Sequence, residues 1–121
     1  MSTVMTINLE ADMPTVDQAR RRLVGELHQS RIAGVKVVKL IHGYGSTGVG
    51  GALRQGIRKS LALRRKEGLV ADVVFGEKWD IFDATTQKVL AALPELRRDR
   101  DLQQGNPGIT IVLLNPLPTG R

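Results

Sequence analysis

Val35-Lys36-Val37-Val38-Lys39-Leu40-Ile41-His42-Gly43-Tyr44-Gly45-Ser46-Thr47-Gly48-Val49-Gly50-Gly51 passes from an apolar stretch into a glycine-rich one. Residues 35–41 are aliphatic and mostly β-branched, with lysines only at 36 and 39, which is a strand pattern. Beyond the glycines, residues 52–67 repeat Leu53, Ile57 and Leu61 at the spacing of a helix's buried face, and Gly68 closes them. A strand, a glycine loop and a helix in that order collect free backbone amides at the positive end of the helix. Such an arrangement binds anions, phosphate above all.

On the amino-terminal side, residues 6–9 form a candidate strand and the acidic turn Glu10-Ala11-Asp12-Met13-Pro14 follows. Thr15-Val16-Asp17-Gln18 has the form of a capping box and predicts a helix with Val16, Ala19, Leu23 and Leu27 inward, ended by Gly34. On the carboxyl side, residues 69–75 read as a strand. Asp83 caps a third helix to about Leu96, Gly105-Asn106-Pro107-Gly108 is a turn, and residues 109–114 (Ile-Thr-Ile-Val-Leu-Leu) are a final strand. Strands alternating with helices predict an α/β fold, a mixed sheet with helices packed against it. Residues 1–114 make one domain, in which 76–105 is a helical insertion, and 115–121 a flexible tail.

The chain has 121 residues, 18 Lys+Arg against 12 Asp+Glu, and no cysteine. That length holds one domain, and the missing cysteines exclude disulfides, thiolate metal sites and cysteine nucleophiles. No apolar run is long enough to span a bilayer, and no basic residue precedes an apolar segment at the amino terminus. The expected setting is therefore cytoplasmic, with no membrane partner. The formal net charge of +6 is unevenly spread. Residues 20–66 carry twelve bases and one acid, Glu26, while the flanking stretches are acidic. A block of that density attracts phosphate polymers, although a charge run is also compatible with plain solvated helix faces.

The glycine loop sits inside that block. His42 stands at its lip, with a side chain that titrates near neutrality and serves as acid, base or phosphate donor. Arg54 and Arg58 share a helix face at spacing i, i+4, and Lys59 adjoins them. With Gly43, Tyr44, Gly45, Ser46, Thr47 and Gly48 they form a phosphodiester-binding constellation, although the glycines also fit the simpler role of letting the chain turn. Residues 43–48 satisfy G-x-G-x-x-G as well, and Glu77 lies where a ribose-binding acid would stand, so nucleotide binding is a minor alternative. His28 reads as partly exposed and without a role, and two distant histidines do not make a metal site.

Ile41-His42-Gly43-Tyr44-Gly45, then Thr47-Gly48-Val49 and Leu53-Arg54, resemble the His-Gly-x-Gly motif of the Smr (small MutS-related) domain family. Ile7-Asn8-Leu9-Glu10-Ala11 before Thr15-Val16-Asp17-Gln18-Ala19 aligns with that family's first motif, Leu-Asp-Leu-His-Gly, and residues 109–114 with its closing strand. The resemblance implies a two-layer α/β sandwich with a mixed four-stranded sheet, similar to the carboxyl-terminal domain of translation initiation factor three. It implies binding of DNA or RNA, and in several family members a structure-selective, metal-assisted endonuclease. On that reading His42 and Glu10 are the catalytic candidates, and Glu10 and Asp12 are hard oxygen ligands for Mg²⁺ or Mn²⁺. The family's first-motif aspartate is Asn8 here and its histidine is Glu10, and an asparagine cannot carry a carboxylate's charge. The alternative is a non-catalytic module binding nucleic acid, or a partner in a ribosome or repair complex. Trp79, Phe82 and Phe75 read as a hydrophobic cluster anchoring the insertion.

Overall fold

The computed structural model describes residues 3–43 and 50–118. Among these residues four strands and three helices alternate: β1 (Val4–Asn8), α1 (Val16–Ile32), β2 (Val37–Ile41), α2 (Gly50–Lys66), β3 (Val70–Phe75), α3 (Ala84–Ala92) and β4 (Ile109–Leu114). The strands form one mixed sheet in the order β1-β2-β4-β3. β1 and β2 are parallel, and β4 runs antiparallel to both β2 and β3. The carboxyl ends of β1, β2 and β3 therefore all lie at one end of the sheet. No helix among the described residues is long and apolar enough to cross a membrane.

The local signals explain the boundaries. The Thr15 hydroxyl accepts from the Gln18 amide at 3.1 Å and Gln18 Oε1 accepts from the Thr15 amide at 2.9 Å, so the capping box is complete. Gly34, at φ +84°, turns the chain so that the Val35 amide reaches the Ser30 carbonyl at 2.9 Å and closes α1. α3 stops at Ala92, short of the expected Leu96, because Pro94 disfavours helical backbone at Leu93 (φ −137°, ψ 84°). A tighter 3-10 turn, Pro94–Arg98, continues from there.

Side chains alternate across the pleat and divide the core in two. Val38 and Leu40 of β2 and Val112 and Leu114 of β4 face α1 and α2. They pack with Leu23, Leu27, Ile57 and Leu61, all of them buried. Val37 and Ile111 face the other way, toward Trp79, Val89, Leu90 and Leu96. The two helices on one face thus give the expected sandwich, while the segment after β3 lays a second, smaller core over the opposite face. The expected aromatic cluster does not form: Trp79 is fully buried, Phe82 is 83% exposed, and Phe75 lies on the α2 side under an arginine.

Lys39 points into that second core. Its Nζ lies 2.8 Å from Asp99 Oδ1 and 2.6 Å from Asp101 Oδ2. Trp79 Nε1 donates to Asp99 at 3.0 Å and Asn106 Nδ2 to Asp101 at 3.1 Å, so both carboxylates have further partners. Burial disfavours the ammonium, but its bonds to Asp101 and Asp99 outweigh that, and Lys39 titrates above the usual lysine value.

Candidate functional site

The parallel pairing of β1 with β2 places Asn8 beside Ile41, and one more bond, from the Leu9 amide to the Ile41 carbonyl at 2.7 Å, carries the pair to the end of the sheet. There Asn8 Oδ1 accepts from the Glu10 amide at 3.0 Å, an Asx-type turn that aims the chain across the top of β2. Arg22 donates to the Asn8 carbonyl at 2.9 Å and ties the turn to α1. The Glu10 carboxylate reaches Gly43, so closely that a Cβ at Gly43 would stand 2.5 Å from Glu10 Oε2. Gly43 has φ +74°, a left-handed backbone that favours glycine, whereas the Glu10 carboxylate beside it is the free end of an exposed side chain and could move aside. The structure thus brings together two sequence candidates, Glu10 and the His42–Gly43 pair. Asp12 stands exposed on the turn at φ +64°.

His42 is completely buried. Its Nδ1 lies 2.8 Å from the Gly43 carbonyl, which only accepts, so Nδ1 carries the hydrogen. Nε2, 2.9 Å from Thr110 Oγ1, is then the acceptor for that hydroxyl. Both ring nitrogens are used and the imidazole is neutral. Burial holds its pKa below the ordinary histidine value despite the bond to the Gly43 carbonyl, and the nearby Arg58 and Arg54 charges push it further down. The His42 and Gly43 amides both donate to the Gly108 carbonyl, at 3.0 and 3.1 Å, fastening the lip of the loop to the turn before β4. Thr110 was missed in the sequence. Its signal was there, as the one polar residue in Ile-Thr-Ile-Val-Leu-Leu.

The unfolded chain protonates His42 near the usual imidazole value, whereas the folded chain resists protonation. The unfolded state then binds more protons, so stability is complete above about pH 6.5 and falls as pH drops below it. Urea midpoints between pH 7.5 and 5 should fall more for the wild type than for His42→Asn, by at most about 1.4 kcal/mol per pH unit.

The cationic part comes from α2. Arg54 and Arg58 share a face, and the positive charges of both act on His42. Arg58 Nη2 donates to Glu77 Oε1 at 2.7 Å, and its guanidinium lies 3.9 Å over the centre of the Phe75 ring. Burial raises the Glu77 pKa, but a backbone hydrogen bond and Arg58 outweigh it, leaving the carboxyl below its usual range. Glu77, weighed in the sequence only as a ribose acid, is therefore a partner of Arg58. Lys59 is exposed, one position further round the helix. Tyr44, Gly45, Ser46, Thr47 and Gly48 lie outside the described residues. Among the described residues no three His, Asp or Glu side chains gather as a metal site would require. Asn8 Oδ1 is occupied by the Glu10 amide and both His42 nitrogens are engaged, so the donors shown do not fit a Mg²⁺ or Mn²⁺ centre.

The Smr domain model matches residues 12–80, more than half of the chain. No curated protein sequence matches. Among solved structures, the crystal structure of the Smr domain of Thermus thermophilus MutS2 is similar, at 26% identity over 93% of this chain and 99% of that one, with a TM-score of 0.57. From the family match, the shared fold and the His42–Gly43 turn at the end of the sheet, the chain belongs to the Smr domain family.

Proposed function

We propose that this Smr domain binds DNA or RNA by gripping the phosphodiester backbone at the carboxyl end of the sheet. One observation carries the reading: α2, which has no acid, brings Arg54 and Arg58 close enough to the end of β2 for both charges to act on His42. Arg58, held over the Phe75 ring, carries donors suited to a phosphate. His42 serves this site as a positioning residue, a neutral ring that locks the turn to Thr110 and Gly43 while leaving the positive charge to the arginines. A second reading, phosphodiester hydrolysis, is favoured only by the Glu10 carboxylate against Gly43.

The test is binding of labelled duplex and single-stranded DNA and RNA across a salt series. Affinity should fall linearly with salt on logarithmic axes, and Arg54→Ala with Arg58→Ala should weaken binding at least tenfold and flatten the slope. Binding that ignores salt or the arginines overturns the reading. In parallel reactions with Mg²⁺ or Mn²⁺, cleavage by the wild type that Glu10→Ala abolishes would establish the hydrolytic reading. Cleavage that Glu10→Ala leaves unchanged would reject it.

A further inference from the structure

A groove of about 590 Å³ runs along α2 on the side away from α1, lined by Arg58, Leu61, Arg65, Lys66, Val73 and Phe75. α2 runs antiparallel to β3: Arg58 lies over Phe75 at the carboxyl end of that strand, and Arg65 Nη2 meets Asp72 Oδ1 at 3.2 Å near its start. The groove therefore begins at the candidate site and leads away from it down the length of the helix. Arg54, Arg58 and Arg65 stand at helix positions i, i+4 and i+11, within a narrow sector of one face and spread over about 16 Å. Between these cations the floor is apolar (Leu61, Val73, Phe75). β3 is an edge strand, so the groove is open along its outer side and a chain could enter without threading.

We propose that this groove is the track of a single-stranded nucleic-acid segment leaving the site, an inference that rests on the nucleic-acid reading above. The repeated arginines match a phosphate backbone, and Phe75 with the guanidinium over it, together with the apolar floor, matches bases or sugars. A duplex keeps its bases stacked inside and would leave that floor uncovered. Glu77 and Asp72 already pair with Arg58 and Arg65, so a bound strand exchanges these carboxylates for phosphates, while Lys66 extends the positive end.

The experiment uses the full chain and two probe types, a short blunt duplex and the same duplex carrying an overhang of about six nucleotides, each as DNA and as RNA. The overhang should tighten wild-type binding about fivefold to tenfold. Arg65→Ala with Lys66→Ala should remove that gain and leave blunt-duplex binding within about twofold. Phe75→Leu should reduce the gain while the circular dichroism melt reports whether the fold is kept. Equal binding of the two probes by the wild type, or a gain that survives Arg65→Ala with Lys66→Ala, overturns the track and leaves the nucleic-acid reading standing. Failure of every probe to bind overturns both. If polyglutamate competes as well as single-stranded DNA of equal charge, the groove answers to an acidic protein and the track is overturned.

Discussion

Lys39→Ala is expected to cost about 3–5 kcal/mol of folding free energy, read as a large drop in the urea midpoint with an unchanged slope. The lysine side chain is 8% exposed and its partners Asp99 and Asp101 are 12% and 17% exposed. Removing the ammonium leaves two carboxylates close together, one of them held by Trp79 Nε1, with no cation between them. Each must then be protonated or pull its segment toward water. The triple change Lys39→Met, Asp99→Asn, Asp101→Asn removes all three charges and keeps acceptors for Trp79 Nε1 and Asn106 Nδ2. It should recover most of the loss, since a buried ion pair replaced as a whole costs far less than one left half-empty. If Lys39→Ala and the triple variant are equally destabilised, the loss comes from packing and the electrostatic account is wrong.

Gly76→Ala should be nearly as damaging, at about 3 kcal/mol. A Cβ there would stand 1.7 Å from the Asn106 carbonyl oxygen and 2.8 Å from that of Ile109. Both obstacles are backbone, so no side chain can swing aside. The 106–108 turn would have to retreat, and its Gly108 carbonyl is what accepts from the His42 and Gly43 amides. The damage should therefore reach the site: the amides of His42 and Gly43 should lose hydrogen-exchange protection earlier in Gly76→Ala than the amides of α1. Gly25→Ala is the control. It lies inside α1 with nothing within 4 Å of the added carbon, and should stabilise by about 0.5–1 kcal/mol. A loss at Gly25 matching that at Gly76 would rule out the steric explanation.

Much of this fold was legible because its signals are local. The capping box at Thr15, the glycines after α1 and α2, the β-branched stretch 35–41, whose strand begins at Val37, and the apolar run 109–114 each act within a few residues. What was missed depends on contacts across long stretches of chain. Nothing near Lys39 indicates that its two partners lie some sixty residues later, since only the pleat of β2 and the return of the chain over the second face bring them together. Trp79 and Phe82 are three residues apart and looked like one cluster, but a 3-10 turn (Gly76–Lys78) and the bend after it send one ring inward and the other out. At the site, the nearness of Glu10 to Gly43 follows from the β1–β2 register, and the bond between His42 Nε2 and Thr110 from the β2–β4 register. Spacing in the sequence fixes neither register.

The place of β4 in the sheet has a consequence for how the chain is made. It is the last strand in sequence, yet it lies between β2 and β3 and supplies Thr110 to His42. While the polypeptide is emerging from the exit tunnel, β1 and β2 can pair and gather α1 and α2. β3, however, has no neighbour to join until residue 114 is clear. Closure of the sheet, covering of its second face and completion of the site are thus held back to one late step. Up to that step the nascent chain presents two open strand edges and a basic helix without a finished turn to direct it. A ribosome that stalls before residue 109 would release a product lacking the centre of its own sheet, a natural target for quality-control proteolysis.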